Sequence, residues 1–190
     1  MTMTQTGSRA MSAPAELLCA FANTLDVDID SGSDALSDPA GLTTWLCDNG
    51  LVDTDTQASA DDLRLATGLR AGIRKAMLAH HDGDTDLALP GLDEITAELP
   101  LRMTFEGTRP RLVPSLPAAE ASAGLAWLLV AASRAQADGI WNRLKLCVAE
   151  DCAWAFVDTS KNRSRHWCSM GVCGNRQKTR AYRARQREKA

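Results

Sequence analysis

Apolar positions recur with a helical period in four stretches of the chain, near 14–25, 39–50, 59–81 and 117–138. In the third, Leu63, Ala66, Leu69, Ile73, Ala76, Met77 and Leu78 give one apolar face. The fourth follows Pro117, is rich in alanine and carries Leu125, Trp127, Leu128 and Leu129, which marks it as the central buried helix. Between these two, Leu101–Phe105 and Arg111–Val113 flank Glu106-Gly-Thr-Arg-Pro110 and predict a β-hairpin with a longer loop. Residues 1–13 are small and polar and read as a loose tail. Residues 139–146 join the central helix to a different kind of sequence. There Cys152-Ala-Trp-Ala-Phe-Val157 alternates small and large apolar residues and predicts a short strand. Residues 158–165 are polar and turn-rich, and the stretch after Cys173 lacks proline and is rich in helix formers. The expected fold is therefore mostly α (α+β). A helical domain over 14–140 with one hairpin precedes a small unit over 141–190 that ends in a helix. No repeat of 20–50 residues is visible.

Composition narrows this picture. The longest apolar run, Leu125–Ala132, has eight residues, against the roughly 20 that a membrane span needs. No basic-then-apolar leader is visible at the N-terminus, so the expectation is a cytoplasmic protein. With 5% aromatic residues, packing must rest on Leu, Ala and Val. The formal charge of −3 conceals a split. Residues 1–140 hold 9 Lys/Arg against 20 Asp/Glu, a net of −11, while residues 141–190 hold 12 against 4, a net of +8. An acidic body thus carries a basic, polyanion-seeking tail.

Cysteines coincide with the basic segment. Four of the six, Cys147, Cys152, Cys168 and Cys173, form two C-x4-C pairs separated by 15 residues. In a reducing compartment such a cluster points to metal rather than to disulfides. Zn²⁺ prefers four tetrahedral ligands and matches thiolate well, and four protein ligands leave no open position, so the site would be structural. A [4Fe–4S] cluster also takes four cysteines. Redox disulfides favour C-x-x-C, which is absent. A unit of this size cannot bury enough apolar surface to be stable alone, and metal binding supplies what is missing. His166 reads as a phosphate donor or an exposed residue. Trp154, Phe156 and Trp167 read as the small core around the metal, and Cys19 and Cys47 as core of the body.

Beyond the second pair, Arg176, Arg180, Arg183 and Arg187 share one helical stripe, and Lys178, Tyr182, Arg185 and Lys189 the opposite one. From Lys161 to Lys189 there are ten Lys/Arg against one Glu. Arg163, Arg165, Arg176, Lys178, Arg180, Arg183, Arg185 and Arg187 are the candidate nucleic-acid contacts. Most would touch phosphates, and Arg176 and Arg180 are the candidates for guanine edges in the major groove.

The string Trp167-Cys-Ser-Met-Gly-Val-Cys-Gly-Asn-Arg176 resembles the signature of the CGNR zinc-finger family, as do Cys147-x4-Cys152 and Asp158-Thr-Ser-Lys-Asn-Arg163. The resemblance covers about 45 residues. It implies a treble-clef or ribbon-like finger in a bacterial transcription regulator, with one structural zinc held by Cys147, Cys152, Cys168 and Cys173 and with duplex DNA as the partner. Two departures are visible: Ala153 stands where Gly is common, and His166 where Arg is common. Upstream, Phe21-Ala-Asn-Thr-Leu25, Asp38-Pro39 and Leu42-x2-Trp45-Leu46-x3-Gly50-Leu51 are similar to the ABATE domain, which implies a role in stress or signal sensing. Here Ala20 replaces a common acidic residue, and the Arg that often follows the Asn-Thr pair is absent from Asp26-Val-Asp-Ile-Asp30.

Several motifs fail. Asp82, Asp84 and Asp86 imitate the start of a calcium loop, but Leu87 occupies its glycine position and Asp93 its final glutamate. His80 and His81 are adjacent and point in different directions, which does not suit a shared metal. No nucleophile elbow, P-loop or dinucleotide fingerprint is present, and no enzyme is supported. The leading reading is a DNA-binding transcription regulator, with a small-molecule effector of the N-terminal domain and a homodimer as candidate partners. An RNA-binding zinc protein and a zinc-stabilised protein-interaction module are the rivals. In the last of these, the basic helix would dock on an acidic partner or on the chain's own body.

Overall fold

A computed structural model describes residues 14–27, 32–84, 86–149 and 151–187. The N-terminal tail and Lys189 lie outside the described residues. Six α-helices are described: α1 (Pro14–Ala22), α2 (Pro39–Asp48), α3 (Ala60–Ala79), α4 (Pro90–Ala97), α5 (Ala121–Ala137) and α6 (Asn175–Arg187). Two antiparallel hairpins accompany them, β1 (Leu101–Glu106) with β2 (Arg109–Pro114), and β3 (Leu144–Leu146) with β4 (Ala155–Val157). Among the described residues no helix is long and apolar enough to cross a membrane.

Helix starts follow local chemistry. The Asp38 carboxylate accepts the Gly41 amide and Pro39 opens α2, so an orphan donor is satisfied where proline has none to lose. The Ser59 hydroxyl accepts the Asp62 amide while the Asp62 carboxylate accepts the Ser59 amide, a reciprocal cap for α3. α4 has no helical period in the sequence long enough to announce it. It lies on α3 where Gly68 and Gly72 leave room, since a Cβ at either position would stand within 2.8 Å of Ile95 or Leu92.

α5 is the centre of the body, as its alanine-rich pattern predicts. Leu125, Ala126 and Leu128 are fully buried against Leu17, Leu18 and Phe21 of α1, Leu42 and Leu46 of α2, and Leu69 and Ile73 of α3. The Phe21 and Trp45 rings lie 5.2 Å apart in this core. Cys19 and Cys47 are half-buried at its margin, with the Cys47 thiol donating to the Asp53 carbonyl. The first hairpin is tighter than expected: its strands run to Glu106 and Arg109, and only Gly107 and Thr108 turn the chain. Gly107 has φ +61°, which the first position of a two-residue hairpin turn requires and glycine supplies freely.

The second hairpin is shared. Leu144, Leu146 and Ala155 are buried in the body's core rather than in a core of their own. The Asn23 side chain pairs with Ala155 in both directions, donating to its carbonyl at 3.0 Å and accepting its amide at 2.7 Å. Arg74 bonds the carbonyls of Ala22 and Ala153. At the end of α3, His80 Nδ1 meets the Leu144 carbonyl at 2.7 Å and His81 Nε2 the Leu146 carbonyl at 2.6 Å. The two adjacent histidines thus meet one strand rather than diverging.

Candidate metal centre and nucleic-acid interface

β3 and β4 are too short to bury a face of their own, and the loop between them carries the first cysteine pair. Cys147 follows β3 and extends the ladder, its amide donating to the Trp154 carbonyl. The loop returns through Ala153 at φ +47°, a left-handed position that favours glycine. The second pair sits where a π-helical turn (Met170–Gly174) opens α6. There the Ser169 hydroxyl accepts the Val172 amide and the Ser169 carbonyl the Gly174 amide. Hairpin, turn and helix together bring Cys147, Cys152, Cys168 and Cys173 together, with all four sulfurs within 4.8 Å of one another.

The Cys152–Cys168 and Cys168–Cys173 sulfurs are each 3.7 Å apart. Four thiolates at 2.3 Å around a tetrahedral Zn²⁺ would be about 3.8 Å apart, so the spacing suits that ion. The chemistry agrees. Burial pushes the Cys152 thiol up to about 11, and burial with its sulfur neighbours pushes Cys168 up further. Against the same burial, the Cys168 and Ala149 amides hold Cys147 below the usual thiol range. Such a set ionises together only around a cation. The four cysteines fit one structural zinc ion.

The small core beside this cluster holds Ala149 and Phe156, with Trp167 packed against it. Trp154 departs from expectation: it is 43% exposed and outside that core, because the turn at Ala153 directs it outward. Arg165 lies 5.1 Å over the Phe156 ring and donates to the Cys168 carbonyl at 2.6 Å. His166 is exposed and stacks on His81 with ring centroids 5.4 Å apart.

Two acidic residues organise the basic segment. Asp158 is fully buried and accepts from the Ser160 amide and hydroxyl, the Arg165 amide and the Lys145 ammonium. Burial alone would raise its pKa, but these donors hold it well below the usual carboxylate range. Lys145, itself 1% exposed, also donates to the Arg163 carbonyl, so one buried ion pair shapes the whole turn-rich loop. Asp151 pairs with Arg176 at 3.0 Å and with Arg180 at 2.8 Å, fixing the first turns of α6 on the first cysteine loop.

The eight candidate nucleic-acid residues therefore divide. Arg165, Arg176 and Arg180 have partners inside the finger. Arg163, Lys178, Arg183, Arg185 and Arg187 are exposed and have no side-chain partner among the described residues. Tyr182 is 58% exposed on the stripe of Lys178 and Arg185. Among the described residues α6 makes no ion pair with the acidic body. Asp151 is not legible as a functional residue from spacing; its signal is that it is one of only four acids in residues 141–190.

The CGNR zinc-finger model matches residues 143–186. The ABATE model, described as "Putative stress-induced transcription regulator", matches residues 15–159, three quarters of the chain. The chain belongs to the ABATE family. No curated protein matches it. The two family matches overlap over residues 143–159, the hairpin that this ABATE protein packs into both halves. Its Phe-Ala-Asn-Thr-Leu motif also gains a physical meaning. Phe21 fills the core, Asn23 holds β4, and the Thr24 hydroxyl accepts from the buried Arg70, whose guanidinium grips Asp34 at 2.6 and 2.7 Å.

Proposed function

We propose that this ABATE protein is a transcription regulator whose zinc finger binds duplex DNA. The observation that carries the reading is α6. It holds six Lys/Arg and no Asp/Glu, follows directly on the cysteine cluster, and stands exposed from the second turn onward. Zinc bound by Cys147, Cys152, Cys168 and Cys173 would supply stability, and its four thiolates leave a local charge of about −2, so attraction to phosphate comes from the flanks. Asp151 orients α6 by holding Arg176 and Arg180. Lys178, Arg183, Arg185, Arg187 and the loop residue Arg163 then meet phosphates. This refines the expectation that Arg176 and Arg180 read bases, since both are occupied as the helix's anchors.

The body is the sensing end of the same reading. A cavity of about 290 Å³ lies between α3, α4 and α5, bordered by Ala76, His80, Leu92, Gln136, Trp141 and Asn142. It is close to the smallest size of a ligand pocket. His80 borders it and also holds the Leu144 carbonyl, so an effector there would press on β3.

The test is titration of the zinc-loaded full chain with a random duplex pool over a range of salt. Five phosphate contacts predict a log–log slope of affinity on salt near −4 to −5. A flat salt response would replace DNA with a protein partner, and preference for unpaired RNA over duplex would favour the RNA reading.

A further inference from the structure

The outer part of the first hairpin carries an apolar strip that the rest of the fold does not cover. Leu101, Met103 and Phe105 of β1 share one side with Pro114, Leu112 and Pro110 of β2, while Arg102, Thr104, Glu106, Arg109 and Arg111 lie on the other. Leu101 packs on the body's core, but Met103 is 59% exposed and Phe105 67% exposed. The base of the ribbon packs on the body through β2 and Leu101, and its outer part leaves a solvent-facing apolar strip.

Its two edges are not equivalent. The Ser115 amide donates to the Pro100 carbonyl at 2.8 Å, which fixes the alternation of the ladder. Arg102, Thr104 and Glu106 then face their backbone groups to β2, and Leu101, Met103 and Phe105 turn theirs outward. The outward positions of β2 are Pro110, Leu112 and Pro114, and the two prolines have no N–H to offer. The β2 edge is blunted in this way, whereas the β1 edge keeps every donor and acceptor. Among the described residues no other strand pairs with it.

The charge pattern selects an occupant. If a second copy of β1 is laid antiparallel on this edge about a two-fold axis at Thr104, Met103 faces Phe105 of the second copy, and Phe105 faces its Met103. Both positions turn their backbone groups outward, so the new ladder is in phase. In the same register Arg102 faces Glu106 of the second copy, and the reverse pair repeats it. Sliding one strand two residues either way loses both charge pairs. Glu106 now bonds Arg111 at 2.6 Å, with the two side chains 71% and 46% exposed, and a pair so open to solvent can shift.

We propose that β1 is a dimerisation edge. Two copies of this chain pair through it to make one four-stranded sheet in the order β2–β1–β1–β2, with Met103 and Phe105 side by side across the junction. The apolar strip explains the side-chain contacts, the open edge the hydrogen bonds, and the Arg102–Glu106 complement the choice of a second copy over another strand.

Sedimentation of the zinc-loaded full chain, followed as concentration rises, tests this. The wild type should approach twice the chain mass. Met103→Pro removes an outward donor and the Met103 side chain at the junction while leaving the β1–β2 ladder complete, and it should raise the dimer dissociation constant about tenfold or more. Should that variant fold poorly by circular dichroism, Arg102→Glu alters an exposed side chain. It should weaken the dimer about fivefold, and adding Glu106→Arg should restore it. A wild type that keeps the monomer mass at every concentration overturns the proposal. So does a dimer that Met103→Pro and Arg102→Glu both leave unchanged, which would place the interface elsewhere.

Discussion

The helical body and the finger are held by different forces. The body buries Phe21, Leu42, Leu69, Leu125 and many smaller neighbours in one apolar cluster. The finger's own cluster has four buried members, and two of them, Cys147 and Cys173, are sulfur donors. Apolar burial at roughly 25 cal/mol per Å² sustains the first and cannot sustain the second. Charge changes sign near residue 140, but packing does not change there: Leu144, Leu146 and Ala155 belong to the body's core, and Phe156 of the same hairpin to the finger's. What depends on metal is therefore the finger outside this hairpin, from the Cys147 loop to α6.

Removing the metal should separate the two halves most sharply. Chelation, or Cys168→Ala, should cost the finger most of its order, since zinc contributes on the order of 10–16 kcal/mol in finger peptides. Affinity for duplex DNA should fall to the level of nonspecific contact, while the helical signal of α1–α5 in circular dichroism and the melting of the body persist. DNA binding that survives in the zinc-free protein would mean that α6 acts without its scaffold.

Next in size are the two buried ion pairs, one in each half. Arg70→Met leaves the Asp34 carboxylate half-shielded in the body, and Lys145→Met leaves Asp158 alone at full burial. Breaking one partner of such a pair costs about 3–5 kcal/mol, with Arg70→Met at the lower end because Asp34 is 30% exposed. Thermal melting should show the first as loss of the body's transition. Zinc affinity should show the second, since the Asp158 loop leads into Cys168.

Acid probes the join between the halves. Burial lowers the pKa of His80, against the upward pull of the Leu144 carbonyl, so the folded state favours the neutral ring. The unfolded chain therefore takes up its proton first. The contribution of His80 is complete above its ordinary value near 6.5 and declines as pH falls through the lower folded value. Denaturant midpoints should drop between pH 7 and pH 5, and His80→Gln should flatten that drop. The smallest effect belongs to Ala153, held at φ +47°. Ala153→Gly relieves that strain and should stabilise the finger by no more than about 1 kcal/mol in zinc-loaded melts.

Much of this is legible in the chain. Long periodic runs announce α3 and α5 because a 3.6-residue repeat sustained over many turns suits a helix and little else. The cysteine spacing finds the metal centre on similar grounds: ligand geometry constrains sequence tightly. The rest is not local. α4 escapes the pattern because its contact with Gly68 and Gly72 is tertiary. β3 escapes it because three residues, Leu144-Lys-Leu146, carry no period. The bonds from Arg165 and Lys145 to Asp158 and the grip of Asp151 on Arg176 and Arg180 join positions 7 to 29 residues apart, and no spacing rule announces them. Trp154 falls on the wrong side of the expectation because alternation assigns faces within a strand, and it stands just outside β4, directly after the left-handed Ala153.

The histidines at the end of α3 have a mechanical consequence. A helix of 20 residues is a stiff rod of about 30 Å. Its first turn is clamped by Ser59 and Asp62, its middle grips Asp34 through Arg70, and its last residues are bolted to two carbonyls of β3. One residue beyond β3 stands Cys147. Any force that tilts the rod in the body is thus delivered to the strand that seats the first sulfur, with the length of α3 as the lever arm.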